Sequence, residues 1–309
     1  ERLFKFCRRK YIMIKRLNYQ EIDFEKYQTC LSNSAQYKYS AEKQFLDITS
    51  DKKWDLLVYN DYEAVMPVPY IKKMGLKLAV NPKLCQQLGI FSSCDSTNLN
   101  DLFLEIFVKK YNIWYYAFNE SNRFTTNLKK RKNYLIPPDR YETVRAKYSP
   151  KRKRKLRLDE DVLQNSSIVE IDDFRQAQSF IELNMVGLGK QRDLKEYLRI
   201  FEAFYKQGYL KFYGFIYQSE LINLIAIHYS AKSATLLGTF NNRNFVKLSG
   251  ASVLIDYIIK QTIENRIFDF EGSEIPSVEE FFRGFRPELK EYSVLSYTKK
   301  EVFKTLFRF

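Results

Sequence analysis

Lys247-Leu248-Ser249-Gly250-Ala251-Ser252 leads into a helical pattern, and the apolar run Ile267-Phe268-Asp269-Phe270 follows it. Val253, Leu254, Tyr257, Ile258 and Thr262 line one face of that helix, and Asp256, Lys260 and Glu264 recur four apart on another, which reads as the solvent side. Asn265 tolerates the left-handed backbone that ends helices. A turn of small residues before a helix presents unpaired N–H groups at the positive end of the helix dipole. That arrangement suits phosphate, so Lys247, Ser249, Gly250, Ala251 and Ser252 are the candidate residues for holding a pyrophosphate. Asp269 ends the strand that follows. A carboxylate there must be paired or hydrogen-bonded, and both a catalytic role and a plain Asx turn satisfy that need.

The 309 residues are 45% hydrophobic and 16% aromatic, enough for a large core and for two domains. No run of about 18 apolar residues and no signal-peptide pattern stands out, which gives a cytoplasmic expectation. Cys7, Cys30, Cys85 and Cys94 are widely spaced and His228 is the single histidine. Neither a disulfide framework nor a Cys/His metal site is indicated, and no metal is expected. Within Ile225-Ala226-Ile227-His228-Tyr229 the histidine reads as a packed strand residue. The formal net charge of +14 is concentrated in Lys129-Lys130-Arg131-Lys132 and in Lys151 to Arg157. The first run reads as solvated linker. The second is equally compatible with linker and with a surface for tRNA or an anionic membrane.

Along the chain, short helices are expected at Asp23–Tyr27 and Glu42–Asp47, then a hairpin of Trp54–Tyr59 and Ala64–Tyr70, with strand-like pieces at Leu76–Val80 and Gln87–Phe91. A helix through Leu99, Phe103 and Phe107 ends at Asn112, and the aromatic strand Ile113–Phe118 follows. After helices at Asp173–Met185 and Asp193–Lys206, the order of hairpin, strand, helix ended by Asn and aromatic strand recurs, which indicates a duplicated α/β unit. The Ser-Pro step and charge run at Ser149 to Asp159 suggest units of residues 1–152 and 153–309. Only the second unit enters its main helix through a glycine. The first uses Ser92-Ser93-Cys94-Asp95-Ser96-Thr97, whose acid would repel phosphate.

The glycine-bearing turn before the helix resembles that of the GNAT acyltransferases, whose Arg/Gln-x-x-Gly-x-Gly/Ala motif aligns with Lys247, Gly250 and Ser252. Asp269-Phe270-Glu271-Gly272-Ser273 and Phe281-Phe282-Arg283-Gly284-Phe285-Arg286 are similar to the Asp-Phe-x-Gly-Ser and Phe-Lys-x-Gly-Phe-Gly segments of the Fem-like branch, which carries two GNAT-like units in one chain. Phe282 stands where that pattern has lysine and Arg286 where it has its last glycine. The resemblance implies an α/β (α+β) fold of two tandem GNAT-like units, each a mixed, mostly antiparallel sheet flanked by helices.

It also implies transfer of an acyl group to an amine or hydroxyl, from acyl-CoA or acetyl-CoA or, as in Fem enzymes, from aminoacyl-tRNA. A non-catalytic basic binding module is the reading from another class. Under the transferase reading Asp269 is base or orienting group, and Arg283 and Arg286 are anion contacts. Tyr62, Gln86 and Gln87 are candidates for lining a cleft for a small-molecule, peptide or saccharide acceptor. The end of the chain, Glu301 to Phe309, is amphipathic at helical spacing.

Overall fold

A computed structural model describes residues 14–73, 75–186, 191–298 and 300–302. Cys7 and most of the expected amphipathic tail lie outside the described residues. The chain forms two compact units: Lys130–Tyr292, and the residues before Lys130 together with those after Tyr292.

The first unit runs β1 (Ile14–Leu17), α1 (Phe24–Asn33), α2 (Lys43–Ser50), β2 (Trp54–Tyr59), β3 (Ala64–Lys73), β4 (Leu76–Val80), the two-residue β5 (Phe91–Ser92), α3 (Thr97–Lys110) and β6 (Asn112–Ala117). Asp23 caps α1 through the N–H groups of Glu25 and Lys26, and Ser96 caps α3 through that of Leu99. Strands β1 to β4 pair as an antiparallel meander, and β4 then pairs in parallel with β6 across the α3 crossover.

The next elements are β7 (Lys129–Ile136), α4 (Tyr141–Lys147), α5 (Pro150–Lys155), α6 (Glu160–Gln164), β8 (Ser166–Glu170), α7 (Phe174–Asn184), α8 (Gln191–Lys206), β9 (Leu210–Tyr217), β10 (Glu220–Tyr229) and β11 (Ser233–Asn241). They are followed by α9 (Gly250–Thr262), β12 (Ile267–Asp269), α10 (Pro276–Arg283) and β13 (Glu288–Ser296). Strands β8 to β11 repeat the antiparallel meander, and β11 pairs in parallel with β12 across α9. The expected duplication is therefore present in the order of β1–β4 and β6 against β8–β12, with β5 as the exception.

Several expectations differ from the structure; among them, α3 ends at Lys110 and α9 at Thr262, before Asn112 and Asn265. The run at Lys129 is no linker but the first half of β7, whose first four residues are largely solvent-facing while Asn133–Ile136 are buried. Gln87–Ile90 is loop, and only Phe91–Ser92 pairs, with β3. The change of unit falls at Lys129–Lys130, not near Ser149–Asp159, because a strand is exchanged in each direction. Leu135 and Ile136 of β7 pair with β12 of the second sheet, and Val294–Ser296 of β13 pair with β6 of the first.

The second core gathers Phe215, Ile225, Leu254, Ile258, Phe268, Phe270, Phe282 and Phe285. Helix α9 buries Leu254, Ile255, Ile258, Ile259 and Thr262, so its apolar face is rotated from the expected one. Tyr257 is exposed, and Asp256 is half-buried where it accepts a 2.9 Å hydrogen bond from the Tyr141 hydroxyl of α4.

His228 is 1% exposed, between Phe204 and Tyr209 with ring centroids at 5.2 and 6.2 Å, which is the packed position expected of it. Burial pushes its pKa down to about 3, so it is neutral in the fold. The unfolded chain takes up this proton near pH 6.5 while the folded chain does not, so stability falls as pH drops from about 6.5 towards 3. We expect denaturation midpoints of His228→Phe to lose up to about 1.4 kcal/mol per pH unit of that slope relative to the parent; an unchanged slope would contradict neutral burial.

Candidate functional site

In a parallel pair joined by a crossover helix, the helix begins beside the carboxyl end of the first strand, where ligands of open α/β sheets bind. The carboxyl end of β11 leads into a 3₁₀ turn, Arg243–Leu248, and then into α9. Ser249 joins the two with φ of 62°, a left-handed conformation, and its side chain makes no capping bond. Its carbonyl instead accepts from the N–H groups of Ser252 and Val253 at 2.8 and 3.2 Å. The N–H groups of Gly250 and Ala251 remain as the pair an anion would meet. Lys247 is exposed beside them.

Gly250 has a packing reason to be glycine. A Cβ there would lie 2.0 Å from Asn223 Oδ1 and 2.7 Å from Phe215 Cδ1, so the residue lets α9 approach β9 and β10. The Ser252 hydroxyl is also committed, because it accepts a short hydrogen bond from Arg152.

Arg152 is the residue that sequence reading failed to separate from its neighbours. It lies on α5, which is capped by Ser149 and has proline at its first position, and its side chain is 4% exposed amid exposed lysines and arginines. The guanidinium sits 4.3 and 4.2 Å from the ring centroids of Phe281 and Phe285. It donates to the Phe281 carbonyl at 2.7 Å as well as to Ser252. A Cβ on Gly284 would come within 3.0 Å of Nε and Nη2, so the glycine of the Phe-Phe-Arg-Gly-Phe-Arg segment makes room for Arg152. Burial pushes its pKa down to about 10, still charged at neutral pH. Tyr148 and Arg152 fall four apart and Leu156 four further on; that inward spacing was the available signal.

The same segment explains its departures from the Fem-like pattern. Phe282 is buried and its ring lies 5.1 Å from that of Phe270, so an apolar contact occupies the lysine position. Arg286 has φ of 57°, the left-handed conformation that favours glycine. Arg283 and Arg286 are both exposed, so the segment displays two cations and buries none of its own.

Strands β11 and β12 share a short register, Ser233–Thr235 against Ile267–Asp269. Past it β11 carries a bulge against β10: Ala226 faces Gly238 and Ile227 faces Leu236, leaving Leu237 opposite no residue. Asp269 ends β12 at 4% exposure and accepts from Glu271 N at 2.8 Å, which is the Asx turn.

The expected acceptor residues lie in two places in the first unit. Tyr62, in the β2–β3 turn with φ of 61°, accepts through its hydroxyl from Asp23 N at 2.8 Å. Gln87 is buried, donates to Gln86 Oε1 at 3.0 Å and accepts from Glu120 N at 3.0 Å, an arrangement that fixes a loop. No hydrogen bond joins Tyr62 to either glutamine among the described residues.

No described helix is long and apolar enough to cross a membrane. No family model matches the chain, and no curated protein matches it. Solved structures do. FemX superposes with a TM-score of 0.65 at 10% identity, covering 94% of this chain and 99% of its own. A conserved protein of unknown function from Bacteroides thetaiotaomicron gives 0.56 at 10% identity, over 92% and 100%. A tandem GNAT protein from the clavulanic acid biosynthesis pathway gives 0.51 at 10% identity, over 92% and 97%. The chain thus has a GNAT-like fold of the Fem type, with tandem units.

Asp269 offers a direct test of turn against catalyst. We expect Asp269→Asn, which keeps the accepting oxygen, to retain stability within about 0.5 kcal/mol, and Asp269→Ala to lose about 1 to 3 kcal/mol by denaturant titration. Equal losses in both would show that the negative charge matters beyond the turn.

Proposed function

We propose that the chain is an acyltransferase that moves an acyl group from a coenzyme A thioester to an amine or hydroxyl of a small-molecule, peptide or saccharide acceptor. The observation that carries this reading is a strand, β11, bulged at Leu237 and paired with β12 only as far as Thr235, that leads into a helix start with two N–H groups to offer. Phosphates of the donor would meet Gly250 and Ala251 N–H, with Lys247 supplying charge. The backbone N–H of Leu237, at the bulge, is the group proposed to polarise the donor carbonyl.

The acceptor's lone pair forms the new bond to carbon, the C–S bond breaks, and the acceptor's proton passes through base or water to the departing thiolate. Transfer of this kind needs positioning more than a strong nucleophile. His228, buried and neutral, is not available as base. Asp269 is assigned an orienting role through its turn. Aminoacyl-tRNA is the second donor reading, favoured by the basic helix α5.

Thermal unfolding with acetyl-CoA, longer acyl-CoAs and free CoA tests the proposal. A ligand at about 100 times its dissociation constant adds roughly 2.7 kcal/mol to the folded state, and Lys247→Glu should remove much of the gain. No gain with any thioester would contradict a coenzyme A donor. Substituting Gly250 would not be informative, because any side chain there collides with Asn223.

A further inference from the structure

Asn133, in β7, is fully buried, and both atoms of its carboxamide lack a hydrogen-bond partner among the described residues. Burying an unbonded amide is costly, so the position calls for a reason. The residues expected to line an acceptor cleft are committed elsewhere. The Tyr62 hydroxyl accepts from Asp23 N, and the Gln87 side chain bonds Gln86 and Glu120 N.

Alternation along β7 sets where Asn133 lies. Ile136 is in register with Phe268, and both belong, with Tyr134, to the core that packs α9. Leu135 is in register with Asp269, so Leu135, Asp269 and, two residues along β7, Asn133 share the opposite face. Tyr134 N–H donates to the Glu271 carbonyl at 3.1 Å, which puts Asn133 beside Glu271, past the carboxyl end of β12. In open α/β sheets that is the end where ligands bind.

The surroundings are acidic. Burial, and then the charges of Asp193 and Glu271, push up the pKa of Tyr197 on α8, so both carboxylates lie near its hydroxyl. Asp269 is joined to Glu271 through its turn. Arg131, two residues before Asn133, pairs with Glu274 at 3.0 Å, and Arg192 and Lys195 of α8 are exposed. Asp193, Tyr197 and Glu271 are partly exposed, so the buried amide stands beside groups that reach solvent. Three carboxylates by themselves do not define a ligand. The carboxamide does: Oδ1 accepts, Nδ2 donates, and a second amide satisfies both through two parallel hydrogen bonds. An ammonium group, which only donates, would leave Nδ2 unmet.

We propose that Asn133 selects the acceptor, its carboxamide pairing with an amide group that stands next to the attacking amine, while Asp193, Asp269 and Glu271 draw that amine in as a cation. The ammonium sheds one proton to water before its lone pair attacks. This rests on the transferase reading above, and it places the acceptor contact in the second unit and not at Tyr62, Gln86 and Gln87.

The test is isothermal titration of glycinamide, which carries amine and amide together, into the full chain. No donor is present, so the result is independent of the thioester measurement. Glycinamide should bind the parent, and Asn133→Val should weaken it by about tenfold or more, as expected for two ordinary hydrogen bonds. Ethylamine, which has the amine and no amide, should bind both proteins alike, a contrast that a general loss of structure would not produce. Val suits a strand and brings no unbonded polar atom, so the variant should melt at or above the parent, and Asn133→Ala repeats the titration with a smaller side chain. Equal glycinamide binding in parent and variants, or none to the parent, would overturn the proposal. Both variants melting well below the parent would overturn it too, by showing that the amide holds the fold together. Ethanolamine binding that depends on Asn133 while glycinamide binding does not would assign the contact to a hydroxyl and overturn the amide. A parent that binds glycinamide through Asn133 but gains no stability from any thioester would contradict coenzyme A as donor and leave the acceptor contact standing.

Discussion

The second unit depends on a buried guanidinium. Arg152 comes from a helix whose Lys151, Arg154 and Lys155 face solvent, and it is the point where α5, the first turn of α9 and the Phe281–Gly284 turn meet. Moving an unpaired cation out of water costs several kcal/mol. Here two charge-assisted hydrogen bonds, each about 1.5–3 kcal/mol, and two aromatic faces offset that cost. Among the described residues no carboxylate is hydrogen-bonded to it; its partners are the Ser252 hydroxyl, the Phe281 carbonyl and two π faces. Of these, only Ser252 belongs to the helix that opens the candidate donor site.

That constraint changes the meaning of residues that looked like ligands. Ser252 belongs to the phosphate motif by spacing, yet its hydroxyl holds Arg152 and only its backbone faces the helix start. Gly284 clears space for a guanidinium, and Gly250 clears space for Asn223 and Phe215. Both glycines therefore follow from packing alone, and neither can serve by itself as a sign of catalysis. In the first unit Asp95 and Ser96 occupy the corresponding helix entrance, with Ser96 capping α3 in the ordinary way. The two halves share a strand order and differ in what they do with the start of the main helix.

Much of this architecture was legible in the sequence because it is local. The β2–β3 and β9–β10 hairpins, the caps of α1, α3 and α7 and the apolar run of β12 depend on neighbours within a few residues. The exchange of β7 and β13 was not legible, since it is a long-range pairing whose first strand opens on Lys-Lys-Arg-Lys and mimics a linker. Short α5 was hidden for a related reason: its six residues include five basic ones, and what makes it a helix is Ser149 and Pro150 at its start. Of the candidate site, the helix start at Gly250 was readable from its small residues. The bulge at Leu237 and the burial of Arg152 arise only when strands and helices from different parts of the chain are brought together.

The most direct measurement is a double-mutant cycle on unfolding free energy with Arg152→Met and Ser252→Ala. If the guanidinium braces α9 through the Ser252 hydroxyl, the two losses will fall short of additive by about 1 kcal/mol or more, within the range found for contacting residues. Losses that add to within about 0.3–0.5 kcal/mol would show two independent sites and remove Arg152 from the centre of this account.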